Sequence, residues 1–346
     1  MSSPVRASVT IRDVAREAHV HPGTVSRALN LQTRALVNPQ TAERVIRAAE
    51  RLGYRPNPIA RGLKTNRSYT IGVLVPDITN PLFPPILRGI EDRLDDAGYT
   101  ALIVNTDNDA DRERSHLEAL RARQVEGFIA ATARLDQELL REVAAAGIPL
   151  VLVNRSLEDG SAPAVAVDDQ FGIKLAVAHV VALGHTRIAH LAGPQNTSTG
   201  HRRRLGFVAS MSELGLELPD ARVHAGRWFT EEEGARGCAR LLDAAPDLTA
   251  IIAGNDLLAI GCYVALAARG LRCPEDISIV GFNDMPFVDR LHPPLTSVRV
   301  PQREIGAVAA DLLLRHLAGV EPTAREILLE PTLITRGSTA PPLRWR

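Results

Sequence analysis

The stretch from residue 10 to residue 30, TIRDVAREAHVHPGTVSRALN, predicts two short helices joined by a tight turn. Thr10 is suited to cap a first helix over residues 11–18, and Asp13, three residues on, completes the pattern of a capping box. A second helix is predicted over residues 22–29, because Pro22 is favourable at the first helical position.

The second helix has one apolar and one polar face. Val25 and Leu29 are four residues apart and are predicted to face inward. The outward positions are Gly23, Thr24, Ser26, Arg27 and Asn30. A third helix, capped by Asn38 and ended at Gly53, is predicted to complete a small core. Its inward positions are Val45, Ile46, Ala49 and Leu52.

The charges of the chain are divided unevenly. The 346 residues hold 40 Lys or Arg and 40 Asp or Glu, a formal net charge of +0. Residues 1–68 hold 12 basic and four acidic residues, a net charge of +8, so the remainder carries −8. A small basic module beside an acidic body favours a polyanion as the partner of the module.

We call the basic module of residues 1–68 the head. Three of its stretches resemble the signature of the lactose- and galactose-repressor family: TIRDVAREA at residues 10–18, TVSRALN at 24–30 and LGYRPN at 52–57. The resemblance implies that the second helix lies in the major groove of DNA. It also implies a set of DNA-contacting residues. They are Pro22, Gly23, Thr24, Ser26, Arg27, Asn30, Tyr54, Asn57 and Leu63.

Within that set the resemblance assigns base edges to Pro22, Gly23 and Arg27, and the DNA backbone to most of the others. Arg27 is the strongest candidate for base reading, because a guanidinium can pair bidentately with guanine. Two histidines depart from the family pattern. Relatives commonly have Gly in the turn and Ser or Thr before the second helix, where this chain has His19 and His21. We expect His21 to be a poor cap.

Residues 57–68, NPIARGLKTNRS, are expected to form a hinge rather than a plain linker. A helix of this length does not persist alone, and Gly62 weakens it further. In the family, the matching segment becomes helical only when two subunits sit on an operator, and a leucine there wedges into the minor groove. Leu63 is the matching leucine, and such a wedge bends the DNA.

The remainder alternates apolar strand-like runs with helical patterns, which predicts an α/β fold with largely parallel sheets. The predicted strands are 70–75, 100–105, 127–131, 150–154, 188–192, 250–253 and 277–282. Polar or aromatic residues follow several of these runs, where ligands bind in such folds. Further matches to the family extend to LITRGST at residues 333–339.

By this resemblance the core is similar to periplasmic sugar-binding proteins, with two subdomains and a ligand cleft between them. The expected ligand-binding residues are Phe83, Asn154, Arg203, Trp228, Asn255 and Asn283. The arginine offers a fork of donors suited to vicinal hydroxyls or a carboxylate, and the tryptophan is expected to stack on the ligand. Many relatives carry Asp where Asn283 stands, so no particular sugar is favoured.

The expected domain boundaries follow from these assignments. Residues 1–56 form an all-α DNA-binding domain and 57–68 the hinge. The core spans 69–339, and 340–346 are a tail. The N-subdomain is expected over about 69–168 and 296–321, and the C-subdomain over about 169–295 and 322–339. The chain would then cross between subdomains near Asp168, Leu295 and Pro322.

These features predict a sequence-specific DNA-binding regulator, most simply a repressor, controlled allosterically by a small sugar-like effector. The expected partners are a pseudo-palindromic double-stranded operator and a second copy of the chain, because one helix-turn-helix covers a half-site. A transport-type binding protein shares the core fold but has no use for the head. An enzyme would need a catalytic motif, and no phosphate loop, nucleophile elbow or metal pair occurs in the sequence.

No cofactor or metal is expected, since the cysteines at 238, 262 and 273 lack metal-ligand spacing. No apolar run in the sequence is long enough to span a membrane, and the first 20 residues are charged where a signal peptide would be apolar. The sequence therefore predicts a cytoplasmic protein without a membrane partner.

Overall fold

The structure, a computed structural model, describes residues 9–30, 33–54, 67–320 and 324–343. The chain divides into two compact units at the bond between Ser68 and Tyr69. The first unit is the head and the second is the core. The hinge prediction falls almost wholly on residues 55–66, which lie outside the described residues.

The head contains the three predicted helices: α1 (Ile11–Glu17), α2 (Pro22–Leu29) and α3 (Pro39–Leu52). The carboxylate of Asp13 accepts hydrogen bonds from the N–H and the hydroxyl of Thr10, at 2.9 and 2.7 Å, which fixes the start of α1. Asn38 caps α3 by accepting from the N–H of Gln40, and Gly53 ends it with a φ of 67°. A short 3-10 turn, Arg34–Leu36, joins α2 to α3.

The core of the head consists of small and branched side chains. Val14, Val25 and Val45 are fully buried, and alanines of all three helices pack among them. Two arginines of α3 tie it to α1, because Arg44 donates to the carbonyl of Ala18 at 3.0 Å and Arg51 pairs with Glu17. The inward prediction holds for Val45 and Ala49, while Ile46 and Leu52 are only half-buried.

The core contains two six-stranded sheets. The first sheet has the order β11-β5-β4-β3-β1-β2, and all of its pairings are parallel. Its strands are β1 (Thr70–Val75), β2 (Thr100–Asn105), β3 (Gly127–Ala130), β4 (Leu150–Val153), β5 (Ala164–Val167) and β11 (Glu326–Leu329). Its helices are α4 (Phe83–Asp96), α5 (Ala110–Ala122), α6 (Glu138–Ala145) and α11 (Gln302–Leu317). This sheet with its helices is the N-subdomain.

The second sheet has the order β12-β10-β9-β8-β6-β7 and is parallel except for the β10–β12 pair. Its strands are β6 (Ile188–Ala192), β7 (Val223–Ala225), β8 (Ala250–Ala253), β9 (Ser278–Asn283), β10 (Thr296–Arg299) and β12 (Thr332–Ile334). Its helices are α7 (Asp169–Ala182), α8 (Ser198–Glu213), α9 (Glu231–Ala244) and α10 (Asp256–Ala268). This sheet with its helices is the C-subdomain. The predicted α/β fold with largely parallel sheets is confirmed.

Two of the three crossovers between the subdomains differ from the expected positions. The first lies at Asp168, between β5 and α7. The second lies at residues 300–301 rather than near Leu295, because β10 still belongs to the second sheet. The third lies at residues 330–331 rather than near Pro322, because β11 belongs to the first sheet. Both strands are short, β11 is an edge strand and β10 is next to one, so their sequences lack the long apolar run of a central strand.

Helix α11 belongs to the N-subdomain because it packs closely on α4. A Cβ atom added at Gly89 would lie 2.0 Å from the carbonyl oxygen of Arg303, and one added at Gly306 would lie 2.0 Å from that of Ile86. Only glycine permits this approach of the two backbones. Across the described residues, no helix is both long and apolar enough to cross a membrane.

Candidate DNA-reading helix and ligand cleft

The start of α2 is capped by His21, so the expectation of a poor cap is wrong. Its Nδ1 accepts a hydrogen bond from the N–H of Gly23 at 3.1 Å. A neutral imidazole has one unprotonated ring nitrogen, which can accept this hydrogen bond as a Ser or Thr hydroxyl would. His19 occupies the turn with a φ of 51°, a left-handed conformation in which the usual glycine has less strain.

The polar face of α2 lies open to solvent. Ser26 and Arg27 are exposed, whereas the other described residues of the expected DNA-contacting set are half-buried. Those residues are Pro22, Gly23, Thr24, Asn30 and Tyr54. The Nε of Arg27 donates to the carbonyl of Gly23 at 3.3 Å, which lays the side chain along the helix. Asn57 and Leu63, also expected to contact DNA, lie outside the described residues.

A narrow cleft in the core brings together residues of both subdomains. The N-subdomain contributes Asn80, Leu82, Phe83, Asn154 and Arg155. The C-subdomain contributes Thr199, Arg203, Phe229, Asn255 and Asn283. These ten residues define the cleft. Its cavity volume is about 20 Å³, close to the space that one water molecule needs.

Five of the six expected ligand-binding residues line this cleft, and Trp228 does not. Trp228 is 52% exposed, and its neighbour Phe229 lines the cleft instead. The ring of Phe229 packs on Gly193, where an added Cβ would lie 2.1 Å from a ring carbon. The start of α9 gives the local reason: Thr230 is its N-cap, and the residue directly before the cap is the one that turns inward.

Arg203 is held at the base of the cleft by groups of the C-subdomain. Its Nε donates to Asp169 Oδ1 at 2.7 Å and its Nη1 donates to the carbonyl of Gly254 at 2.6 Å. The guanidinium lies 3.8 Å from the centre of the Phe282 ring. Burial raises the pKa of Asp169 even though Arg203 opposes the shift. The two side chains are 2% and 1% exposed, so they form a buried ion pair, and the N–H groups of Nη2 are left for a ligand.

The asparagines of the cleft differ in what their amides do. Asn255 caps α10, because its Oδ1 accepts from the N–H of Leu258 at 2.9 Å. The Oδ1 atoms of Asn154 and Asn283 are buried and have no hydrogen-bond partner among the described residues. Both residues also have positive φ, 65° and 113°. Two buried acceptors and two strained backbone positions at one site indicate a ligand that donates hydrogen bonds.

Arg155 was not among the expected site residues, although it follows the same strand as Asn154. It lines the cleft and is 8% exposed, and its buried Nε has no hydrogen-bond partner among the described residues. Burial, followed by the charges of Arg134 and Arg203, lowers its pKa to about 10. The position directly after the fourth predicted strand pointed to both Asn154 and Arg155, and the expected ligand-binding set kept only the asparagine.

The two subdomains are joined directly at the side of the cleft. Arg202 of α8 pairs with Glu326 of β11 at 2.7 Å and donates to Ser156 Oγ at 3.1 Å. The N–H of Ser156 in turn donates to Ser198 Oγ at 2.9 Å. Arg202 therefore binds the N-subdomain, while the next residue, Arg203, lines the ligand cleft.

Both parts of the chain match families of known proteins. Residues 10–57 match the family described as bacterial regulatory proteins, lacI family, and residues 177–339 match a periplasmic binding protein-like domain. Catabolite control protein A of Priestia megaterium is 34% identical over 311 residues, which are 90% of this chain and 93% of the relative. The transcriptional repressor CytR of Escherichia coli K12 is 34% identical over 332 residues, 96% of each chain.

Solved structures agree over nearly the whole chain. The lac repressor dimer bound to operator and the anti-inducer ONPF has a TM-score of 0.85 at 29% identity, covering 96% of this chain and 100% of that one. The complex of the regulator CelR with cellobiose has a TM-score of 0.74 at 29% identity, covering 95% and 99%. With its head, its core and relatives of this identity, the chain belongs to the lacI family of bacterial regulatory proteins, and it is a DNA-binding transcriptional regulator rather than an enzyme.

Proposed function

We propose that this protein is a cytoplasmic, homodimeric repressor whose grip on a pseudo-palindromic operator is set by a sugar or sugar derivative bound in the cleft. The observation that carries the effector site is the pair of buried, unpartnered acceptors, Asn154 Oδ1 and Asn283 Oδ1, which face one cavity from opposite subdomains. An unpaired buried acceptor costs about 1–3 kcal/mol. A ligand with hydroxyl groups removes that cost in both subdomains at once.

The lining of the cleft fits a polyol. Phe83 and Phe229 supply flat apolar walls for the C–H faces of a sugar ring, and Arg203 Nη2 supplies a donor for its oxygens. Relatives support the same class of ligand, since one is a ribose operon repressor, from Halalkalibacterium halodurans, and the CelR structure holds cellobiose. With a cavity volume of about 20 Å³, the effector enters only when the subdomains move apart.

The head supplies the reading surface. Arg27 is proposed to read base edges with Pro22 and Gly23 beside it, and the remaining described polar residues of α2 are proposed to hold the DNA backbone. Tyr54, Asn57 and Leu63 complete the proposed contacts. The operator-bound dimer of the lac repressor supports two copies of the head on two half-sites.

The experiment is a selection of binding sites from a library of random duplexes with the purified full-length protein. We expect enrichment of an inverted repeat with two half-sites, and sedimentation of a complex that holds two chains. The selected duplex then serves for affinity measurements with and without candidate sugars. A single half-site without symmetry, or no enrichment, would contradict the proposal.

A further inference from the structure

The cleft contains a positive charge that the protein does not neutralise. Arg155 is more than nine-tenths buried, its Nε has no partner, and no described residue accepts a hydrogen bond from its other nitrogens. The other arginine of the cleft, Arg203, is neutralised by Asp169 at 2.7 Å. The two guanidiniums are thus in opposite situations at the same site.

The charged groups around Arg155 leave a positive excess. Arg134 and Arg203 repel it, and Glu113 is the one carboxylate whose charge acts on it in its favour. Glu113 is already engaged, because its charge also acts on Arg134, and its oxygens accept from the hydroxyl of Thr132 and, at 2.7 Å, from Gln137 Nε2. The ten residues that line the cleft include two arginines and no carboxylate.

The acids nearest the opposite side of the cleft are engaged as well. Asp256 accepts from Ser297 Oγ at 2.6 Å and from the N–H of Met285 at 2.7 Å. Asp284 pairs with Arg299 and Arg336, both at 2.7 Å. Among the described residues, no carboxylate is therefore paired with Arg155 alone when the cleft is closed.

A hydroxyl could accept a hydrogen bond from Arg155 but could not neutralise its charge, and a buried charge is stable only when it is paired. We propose that the effector of this regulator carries an anionic group, a carboxylate or a phosphate, which binds Arg155, while its hydroxyls bind Asn154 and Asn283. This inference rests on the proposed function and narrows its ligand class to sugar acids and sugar phosphates.

The planar fork of a guanidinium suits both anions, because each offers two oxygens at the required spacing. The amide oxygens of Asn154 and Asn283 accept hydrogen bonds from hydroxyl groups and do not bind an anion. The anionic group therefore binds Arg155. The lowered pKa of Arg155, which burial and the two neighbouring guanidiniums cause, agrees with a site that lacks its counter-charge.

The test uses matched sets of ligands on the full-length protein. Ribose, ribonate and ribose 5-phosphate form one set, and glucose, gluconate and glucose 6-phosphate form the other. Calorimetry gives the dissociation constants, and thermal unfolding gives an independent ranking, since a ligand of the folded state raises the unfolding temperature. We expect a charged member to bind at least tenfold more tightly than its neutral partner. Comparing the sugar acid with the sugar phosphate in each set shows whether the site prefers a carboxylate or a phosphate.

Two variants locate the effect. Arg155→Gln should remove the preference for the charged member while the unfolding temperature without ligand stays equal or rises, and Arg155→Lys should keep part of the preference. Arg204→Gln, on the exposed side of α8, is the control and should change neither quantity. Inorganic phosphate, tested alone, should stabilise the wild type more than Arg155→Gln.

Three results would overturn the inference. They are equal or tighter binding of the neutral sugars, a preference for the charged member that persists in Arg155→Gln, and no binding by any member of the two sets. If a neutral sugar binds and changes the affinity for the selected operator, the anion site is wrong and the proposed function stands. If the protein selects no operator, the proposed function fails whatever the sugars do.

Discussion

Helix α2 of the head and the cleft of the core both present polar groups that no described protein atom satisfies, but only in the cleft is this costly. The ends of Arg27 lie in water, which satisfies them until DNA replaces it. Arg155, Asn154 and Asn283 are almost fully buried, so each unmet group lowers the stability of the fold. A solvent-exposed DNA-contacting surface can therefore be identified from residue type and spacing. A closed ligand site is identified in the structure by its buried groups that lack hydrogen-bond partners.

The largest expected effect separates the two arginines of the cleft. Arg203→Ala leaves the carboxylate of Asp169 buried without its partner and should lower the free energy of unfolding by about 3–5 kcal/mol. Arg155→Ala removes a charge that has no partner and should leave stability unchanged or raise it. Urea unfolding of both variants measures the difference. Equal losses would mean that Arg155 is paired in solution and would break the comparison.

A buried histidine of β6 gives the next effect. His190 Nδ1 lies 2.8 Å from the carbonyl of Ile252, and its Nε2 is buried without a partner among the described residues. Burial lowers the pKa of His190 to about 4. Because the pKa of His190 in the folded state lies below its unfolded value near 6.5, the neutral histidine contributes its full stability above about pH 6.5. This contribution, roughly 3 kcal/mol, is lost as the pH falls towards 4.

Unfolding midpoints in urea at pH 7.5 and pH 5 measure this loss. The variant His190→Phe keeps the stacking on Phe207, whose ring centre lies 4.9 Å away, and should reduce the loss on the acid side. Burial raises the pKa of Asp256 to about 7, which acts in the opposite direction, so the difference between wild type and variant is the quantity to compare. Parallel pH profiles would contradict the assignment.

On the head, Arg27→Ala should cost about 1–3 kcal/mol of binding to the selected operator and little on random duplex, because a base contact carries sequence information. Stability should not change, since the side chain is exposed. Arg47→Ala on α3, also exposed, is the matched control and should affect the two duplexes alike. An equal loss for Arg27→Ala on both duplexes would assign it to the DNA backbone.

The smallest expected effect concerns the cap of α2. His21→Ala removes the acceptor for the N–H of Gly23 and should lower the stability of the head by about 1 kcal/mol. His21→Ser should restore most of it, because a hydroxyl can take the same role. Thermal unfolding followed by circular dichroism separates the variants. No loss in the alanine variant would show that the histidine cap contributes nothing in solution.

The sequence predicted the features that rest on long or specific patterns. The three head helices and most central strands of the core carry apolar periodicity or capping residues. Four of the five predicted cleft residues follow predicted strands or begin helices, and Arg203 was chosen from the family resemblance. The misses have local causes. Trp228 was predicted to bind the ligand, but its neighbour Phe229 lines the cleft. The sequence alone does not show which of two adjacent aromatic residues directly precedes the N-cap and turns inward.

Strands β10 and β11 were missed for a different reason. β10 and β11 are four residues long and mix polar with apolar positions, so they carry no clear period, and their sheet membership depends on long-range pairing. Arg155 follows a predicted strand, but nothing in the sequence ranked it above its neighbours, because its importance comes from the absence of a partner among the described residues. That absence depends on the positions of Asp169 and Glu113, which only the folded chain defines.

The central claim is that occupancy of the cleft and affinity for the operator are coupled, and it is tested most directly by fluorescence anisotropy of the selected operator across the two ligand sets. We predict that the compound that most raises the unfolding temperature changes the operator dissociation constant by about 5–150-fold. The reciprocal titration, with operator present, should show the same factor for the compound. A compound that binds the cleft tightly and leaves the operator dissociation constant unchanged would contradict the account.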